Sequence, residues 1–422
     1  MDFHDQLDVF LNENKIGTLF TDNGVMSFAY DTEFLNTPGA YPLSKNLPLK
    51  EGFFTDPEVE GFFSNLLPDE RIRNTVAMIL HVSPGNTFRL LKEIGADCAG
   101  AVSFYPQGET PQSANNPVYR KLSAEEAYKI LYNLGQRPLD VGDEGVRISG
   151  AGSQEKLVAC VQHGTISLPL YGTPSTHIIK PVIPNFQSSV HNEYFCMKLA
   201  KAMGMPVAEC DILTIDDDVF YVVERFDRTT KNGITRRLHQ EDFCQLLNVP
   251  PHLKYEEDGG PGVKDCLQCM SDMHISAMSR LQFIRLLIFN FLIGNCDAHA
   301  KNYAVLYNNG LPSGASAAGG VPSFAPAYDL LCTMVYETMS RCFAMSVGGE
   351  SRMGMLKKEH FSAMAEECGL NPKMVLAELD SMAAKLPDIA DKLDRELNAV
   401  HPSTVYGSIA WQVKHLCLQV AE

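Results

Sequence analysis

One stretch restricts the fold of this chain more than any other. Residues 281–294 form a largely apolar run that carries Arg285 and Asn290, and the run opens into Asn295-Cys-Asp-Ala-His-Ala-Lys-Asn302. Such a run, ending at Gly294 before a cluster of polar side chains, predicts a buried helix that delivers a loop. Within the loop Asp297 and Asn302 are separated by four residues, and an isolated Asp329 follows later. In one reading this spacing is that of a phosphoryl-transfer loop. There the carboxylate receives the acceptor hydroxyl's proton, the amide holds magnesium, and a later aspartate holds metal against the nucleotide phosphates. Taken alone, the stretch is better explained as a capped turn after a helix, because Asp and Asn are ordinary turn residues.

The elements before it supply the context. Residues 6–28 read as three short strands, with Asp22-Asn-Gly24 as a hairpin turn. Gly61-Phe-Phe-Ser-Asn-Leu-Leu-Pro68 follows, then helices over 69–80 and 86–94, giving a small mixed domain over 1–105. Residues 106–117 read as a loop, and Ser123 with Glu126 is a capping box that starts a helix. A glycine-rich turn then runs into strands near 157–161, 166–170 and 176–180, followed by a helix at 192–203. A hairpin at 210–215 and 219–224 completes a lobe over 106–228. The remainder, 229–422, reads as helical, with helices at 240–247, 276–292, 358–368, 372–386 and 411–420. Residues 308–326, rich in Gly, Ser, Ala and Pro, read as a flexible insertion.

Four features in chain order carry chemistry. The first is Ser149-Gly-Ala-Gly-Ser-Gln-Glu-Lys156, whose small residues let backbone N–H groups approach an anion while Lys156 balances its charge; an ordinary glycine hairpin is the alternative. The second is Lys180, either a compact cation for phosphates or a solvated strand residue, with Glu193 on the next helix as its possible orienting partner. The third is Tyr221-Val-Val-Glu-Arg-Phe-Asp-Arg228, an apolar strand leaving into a charged segment. It suits either a hinge whose backbone meets an adenine edge or a strand end with a surface ion pair. The fourth is Asp297, Asn302 and Asp329. Phosphate loop, strand lysine, hinge, base with asparagine, then metal aspartate is the order of parts in a protein kinase. The sequence contains no G-x-x-x-x-G-K-[ST] loop, which disfavours a Walker-type NTPase.

Composition excludes some functions. A formal charge of -16 over 422 residues argues against a chain that grips nucleic acid by itself. The start Met1-Asp-Phe-His-Asp5 lacks the basic end and apolar core of a signal peptide, and residues 281–294 are too few to span a bilayer. The expectation is a cytoplasmic protein that does not enter a membrane. Cys266-Leu-Gln-Cys269 lacks a second ligand pair, so the twelve cysteines read as free thiols.

The glycine-rich segment, Thr176-His-Ile-Ile-Lys-Pro181, Asn192-Glu-Tyr194, Val223-Glu-Arg-Phe-Asp-Arg228 and Gly294-Asn-Cys-Asp-Ala-His-Ala-Lys-Asn302 together resemble the HipA-type serine/threonine kinases, the toxins of bacterial toxin–antitoxin pairs. The leading segment with Gly61–Pro68 resembles that family's small N-terminal domain. The resemblance implies an α+β, bilobal protein-kinase-like fold with a mostly helical C-terminal lobe, and dependence on ATP and Mg2+. It implies that Asp297 is catalytic and that Asn302 and Asp329 hold metal. It places Ala151, Gly152, Ser153, Gln154, Glu155, Lys156, Lys180, Glu224, Arg225, Phe226, His299, Lys301 and Tyr328 at ATP. It implies that Ser149 is self-phosphorylated, adding roughly two negative charges that favour ejecting the loop. The partners implied are a protein substrate in translation (glutamyl-tRNA synthetase among the candidates), a helix-turn-helix antitoxin, and operator DNA reached mainly through that antitoxin. Two other readings stay open: a small-molecule phosphotransferase on the same fold, and a catalytically silent corepressor.

Overall fold

The computed structural model describes residues 5–22, 24–307 and 322–421. The chain forms two compact units. The first combines Met1–Pro181, Glu224–His252 and Val305–Pro322; the second combines Val182–Val223, Leu253–Ala304 and Ser323–Glu422.

The first unit opens with the strands Asp5–Leu11, Asn14–Asp22 and Val25–Tyr30, paired antiparallel in succession. Phe54–Thr55 and Val102–Pro106 complete a five-stranded sheet, the latter pairing with Asp5–Leu11. Phe28, Phe54 and Phe104 of the sheet form a buried aromatic core with Phe63 from the helix that follows Thr55. Their rings contact with centroids 5.7–6.3 Å apart. The helix Asp56–Ser64, which the apolar pattern did not announce, begins with a Thr55–Glu58 capping box. The helices Glu70–Ile79 and Thr87–Ile94 follow as expected. The Ser123–Glu126 capping box starts the helix Ala124–Tyr132. Leu157–Gln162 then pairs antiparallel with both Thr165–Pro169 and His177–Lys180, and the short strand Tyr119–Lys121 pairs with Thr165–Pro169.

The expected helix at 240–247 is only half met. His239–Asp242 is a strand, and only Phe243–Leu246 is helical. His239 and Glu241 alternate as fully buried residues, a period-two pattern, while Asp242 accepts from the Gln245 N–H and so caps the short helix after the strand.

The second unit is mostly helical. Its helix Ser189–Ala202 and hairpin strands Cys210–Ile215 and Asp218–Glu224 follow expectation, and a helix over Val263–Asp272 adds to those expected. Ala277–Leu292 is the buried helix, with Ser276 accepting from the Ser279 N–H as its cap. The helix expected to stop at residue 386 runs from Pro372 to Asn398, through Pro387. Leu379, Met382, Leu386 and Ala390 keep one face buried at three- and four-residue spacing across the proline, so packing outweighs the lost N–H. The last helix, Val405–Gln419, begins six residues earlier than expected because Tyr406, Ile409 and Ala410 are buried. Residues 308–321 of the expected insertion lie outside the described residues, whereas Ser323–Phe324 is a strand. The twelve cysteines are present as thiols rather than disulfides, with Cys266 and Cys269 buried in one helix. Among the described residues no helix is long and apolar enough to cross a membrane.

Candidate functional site

The residues singled out from sequence fall into two groups, one in each unit. In the second unit the helix Ala277–Leu292 ends at Gly294, whose φ of +74° closes the helix. A side chain there would press on Met334, 3.2 Å from an ideal Cβ. The loop beyond is fixed from both sides. Asn295 accepts from the Asp297 N–H at 3.2 Å and donates to Asn290 at 2.9 Å; Asn290 in turn donates to the Tyr303 hydroxyl at 3.1 Å. Thr333 accepts from the Cys296 N–H at 2.8 Å and donates to the Gly294 carbonyl. Asn192 holds that support, donating to the Cys332 carbonyl at 2.9 Å and accepting from its N–H at 2.8 Å.

Asp297 is half-buried, and Tyr255 donates its hydroxyl to Oδ1 at 2.6 Å. The Tyr255 ring meets the His299 ring edge-on at 5.1 Å. Burial lowers the His299 pKa and so favours a neutral imidazole, outweighing the nearby Asp297 charge, which favours the protonated ring. The amide of Asn302 donates to Asp329 Oδ2 at 3.1 Å, bringing together two residues 27 positions apart. Asp329 sits at φ +58°, a left-handed conformation sparsely used outside glycine. Tyr328 donates to the Lys301 carbonyl at 2.7 Å, and Lys301 is itself buried.

In the first unit Ser149, Glu155 and Lys156 are buried and Ser153 is exposed. Gly152 adopts φ +100°, and Lys156 folds back to donate to the Ala151 carbonyl, bracing the turn from inside. Gln154 reaches the Pro181 carbonyl at 3.5 Å, next to Lys180 at the end of the strand His177–Lys180.

The segment at Glu224–Phe226 resolves differently from a surface ion pair. The Arg225 guanidinium donates to Asp227, Ser175 and the Cys98 carbonyl, and its backbone N–H donates to the Thr176 carbonyl. Its side chain is wholly engaged inside the protein, leaving the exposed Glu224 and the half-buried Phe226 beside it at the surface. Lys180 lies in the first unit and Glu193 in the second.

Sequence reasoning missed Tyr255. It precedes Asp297 by 42 residues, in a segment without periodicity or motif. It also missed that Leu66, Asp69 and Arg71 touch the glycine-rich loop.

An α+β chain built this way has a kinase-like fold, and comparison with known proteins narrows the class. A model described as the HipA-like C-terminal domain matches residues 148–390, and one described as the HipA N-terminal domain matches residues 7–105. The chain is 34% identical over 427 residues to a putative kinase, Y4mE, of Sinorhizobium fredii, covering 98% of this chain and 99% of the relative. It is 31% identical over 395 residues to the serine/threonine-protein kinase toxin HipA of Shewanella oneidensis, covering 90% and 87%. A chain in the solved complex of Shewanella oneidensis HipA, HipB and operator DNA matches with a TM-score of 0.82 at 26% identity, covering 98% and 97%. The chain belongs to the HipA family and is an enzyme of its kinase class.

Proposed function

We propose that this chain is an ATP- and magnesium-dependent kinase that phosphorylates serine or threonine in a protein and acts as the toxin of a toxin–antitoxin pair. The observation that carries this reading is the Asp297 loop, where a carboxylate oriented by Tyr255 stands five residues ahead of an amide bonded to Asp329. In this reading Asp297 orients the acceptor hydroxyl and accepts its proton at a carboxylate oxygen. The Asn302 amide oxygen and the Asp329 carboxylate are hard donors that fit Mg2+, which is held by few protein ligands and completed by phosphate and water. When bound, the metal supplies neutralisation of charge on the transferring phosphoryl group. Lys180 and the glycine-rich turn over 151–156 hold the phosphates, and Glu224 to Phe226 hold the base. Arg225 serves there by anchoring the backbone rather than by touching nucleotide.

Ser149 is the self-phosphorylation site of this reading. Its hydroxyl donates to the Leu66 carbonyl and it is only 2% exposed. A phosphate of roughly two charges has no room there, so the loop must leave its seat when Ser149 is modified. The partners are a helix-turn-helix antitoxin and, through it, operator DNA, which suits a chain of net charge -16. The relative solved with HipB and operator DNA supports that assignment. The substrate is a translation component, with glutamyl-tRNA synthetase the first to assay, and the site of action is the cytoplasm.

The test incubates purified protein with labelled ATP and magnesium. Label should enter wild type and be lost about a thousandfold or more in Asp297→Ala, as for loss of a catalytic base together with its positioning role. Equal labelling of the two proteins would refute the assignment.

A further inference from the structure

The Gly61–Pro68 segment has no part in the chemistry above, yet it leads directly to the glycine-rich loop. The Leu66 carbonyl accepts from the Ser149 hydroxyl. Pro68 forms a parallel bridge with Gly152, and the Asp69 N–H donates to the Gly152 carbonyl at 3.2 Å. Two residues further on, Arg71 forms an ion pair with Glu155. Four consecutive contacts from residues 66–71 thus follow the loop from its first residue to its last but one.

The charges give the arrangement a direction. Glu155 is an odd residue for a phosphate-binding turn, because a carboxylate there repels the anion the turn is meant to hold. Its side chain is 5% exposed and that of Arg71 is 61% exposed. A buried carboxylate needs a partner, and Arg71 supplies it. The pair neutralises Glu155 and ties it to the helix Glu70–Ile79. Without Arg71 the carboxylate regains solvent most easily by moving outward, and the loop moves with it.

We propose that residues 66–71 are a clasp that holds the glycine-rich loop in its nucleotide-binding form, with Arg71 as the positioning residue that locks it. The clasp deepens the kinase reading given above and rests on it for the identity of the ligand. It also places Ser149 under the control of the small N-terminal domain, since the serine is released only when the clasp opens.

Arg71→Ala and Arg71→Lys are to be compared with wild type in the full-length chain by two measurements. Amide hydrogen exchange without nucleotide should show 149–156 exchanging faster in Arg71→Ala, with the Asp5–Leu11 and Val102–Pro106 strands unchanged, and protection partly restored in Arg71→Lys. Mg-ATP binding should weaken roughly fivefold in Arg71→Ala, because apparent affinity falls with the fraction of loops in place. The turnover number at saturating ATP should be kept. Unchanged loop exchange, or faster exchange spread evenly through the first unit, would overturn the clasp. A wild type that binds no Mg-ATP would overturn the kinase reading instead, while the exchange comparison still decides the clasp.

Discussion

Tyr255 sets the orientation of the carboxylate on which the proposed chemistry turns. Its hydroxyl donates to Asp297 Oδ1 at 2.6 Å, and its ring is steadied edge-on by His299. Removing the hydroxyl leaves the ring packing in place and frees the carboxylate to rotate. In Tyr255→Phe the turnover number should fall about tenfold, the scale of one hydrogen bond to a charged group, while KM for ATP stays near wild type. Steady-state phosphorylation at varied ATP checks this, and an unchanged turnover number would remove Tyr255 from the site. Asp297 and Asn302 could be picked out in the sequence because their spacing is local. Tyr255 could not, because its only link to Asp297 is spatial.

Elements with a local signal were the legible ones. The Ser123–Glu126 capping box and the Asn192 helix stand where composition and period put them. The expected helix at 240–247 was misread because a buried strand of alternating residues and a four-residue helix follow each other too closely for either period to register. Gly61 shows how much of the helix Asp56–Ser64 depends on distant partners. Its N–H donates to Asn248 Oδ1 at 3.1 Å, and Asn65 donates to the Val249 carbonyl at 2.8 Å. Gln245 returns a bond to the Phe62 carbonyl at 3.2 Å. An ideal Cβ on Gly61 would lie 2.4 Å from the Asn248 main chain, so two backbones meet where no side chain fits. Gly61→Ala should destabilise the protein by about 2–3 kcal/mol through overpacking, visible as a lowered midpoint in thermal or urea unfolding. A midpoint equal to wild type would mean that the Asn248 turn yields freely.

At the scale of the whole molecule, the order of parts along the chain was readable because each part is short and the sequence of parts is distinctive. What joins the small N-terminal domain to the segments assigned to nucleotide was not readable, because it is a buried charge cluster whose members lie 78 to 140 residues beyond Asp97 in the chain. Asp97 is fully buried and accepts from Arg228 at 3.0 Å, from Arg237 at 2.9 and 3.0 Å, and from the Ser175 N–H at 3.1 Å. Its backbone carbonyl accepts from the Ser149 N–H at 3.1 Å. One residue therefore touches the foot of the glycine-rich loop, the approach to the Lys180 strand and the Arg225–Arg228 segment. Burial alone would raise its pKa, but the Arg228, Arg237 and Arg225 charges outweigh that and hold it well below the usual carboxylate range. A lowered folded pKa contributes stability that is complete above the ordinary carboxylate pKa near 4 and is lost as pH falls through the folded value. Asp97→Asn leaves three buried guanidinium groups with one carboxylate fewer, and removing one partner of a buried pair costs about 3–5 kcal/mol. The variant should be less stable than wild type by that order at pH 7, and the gap between the two should begin to close as the pH falls below about 4, where Asp97 takes up its proton in the unfolded chain but not yet in the folded one. Urea unfolding of both proteins from pH 3 to pH 8 measures the gap directly. A gap absent at pH 7, or one that widens toward acid, would show that Asp97 does not carry the cluster.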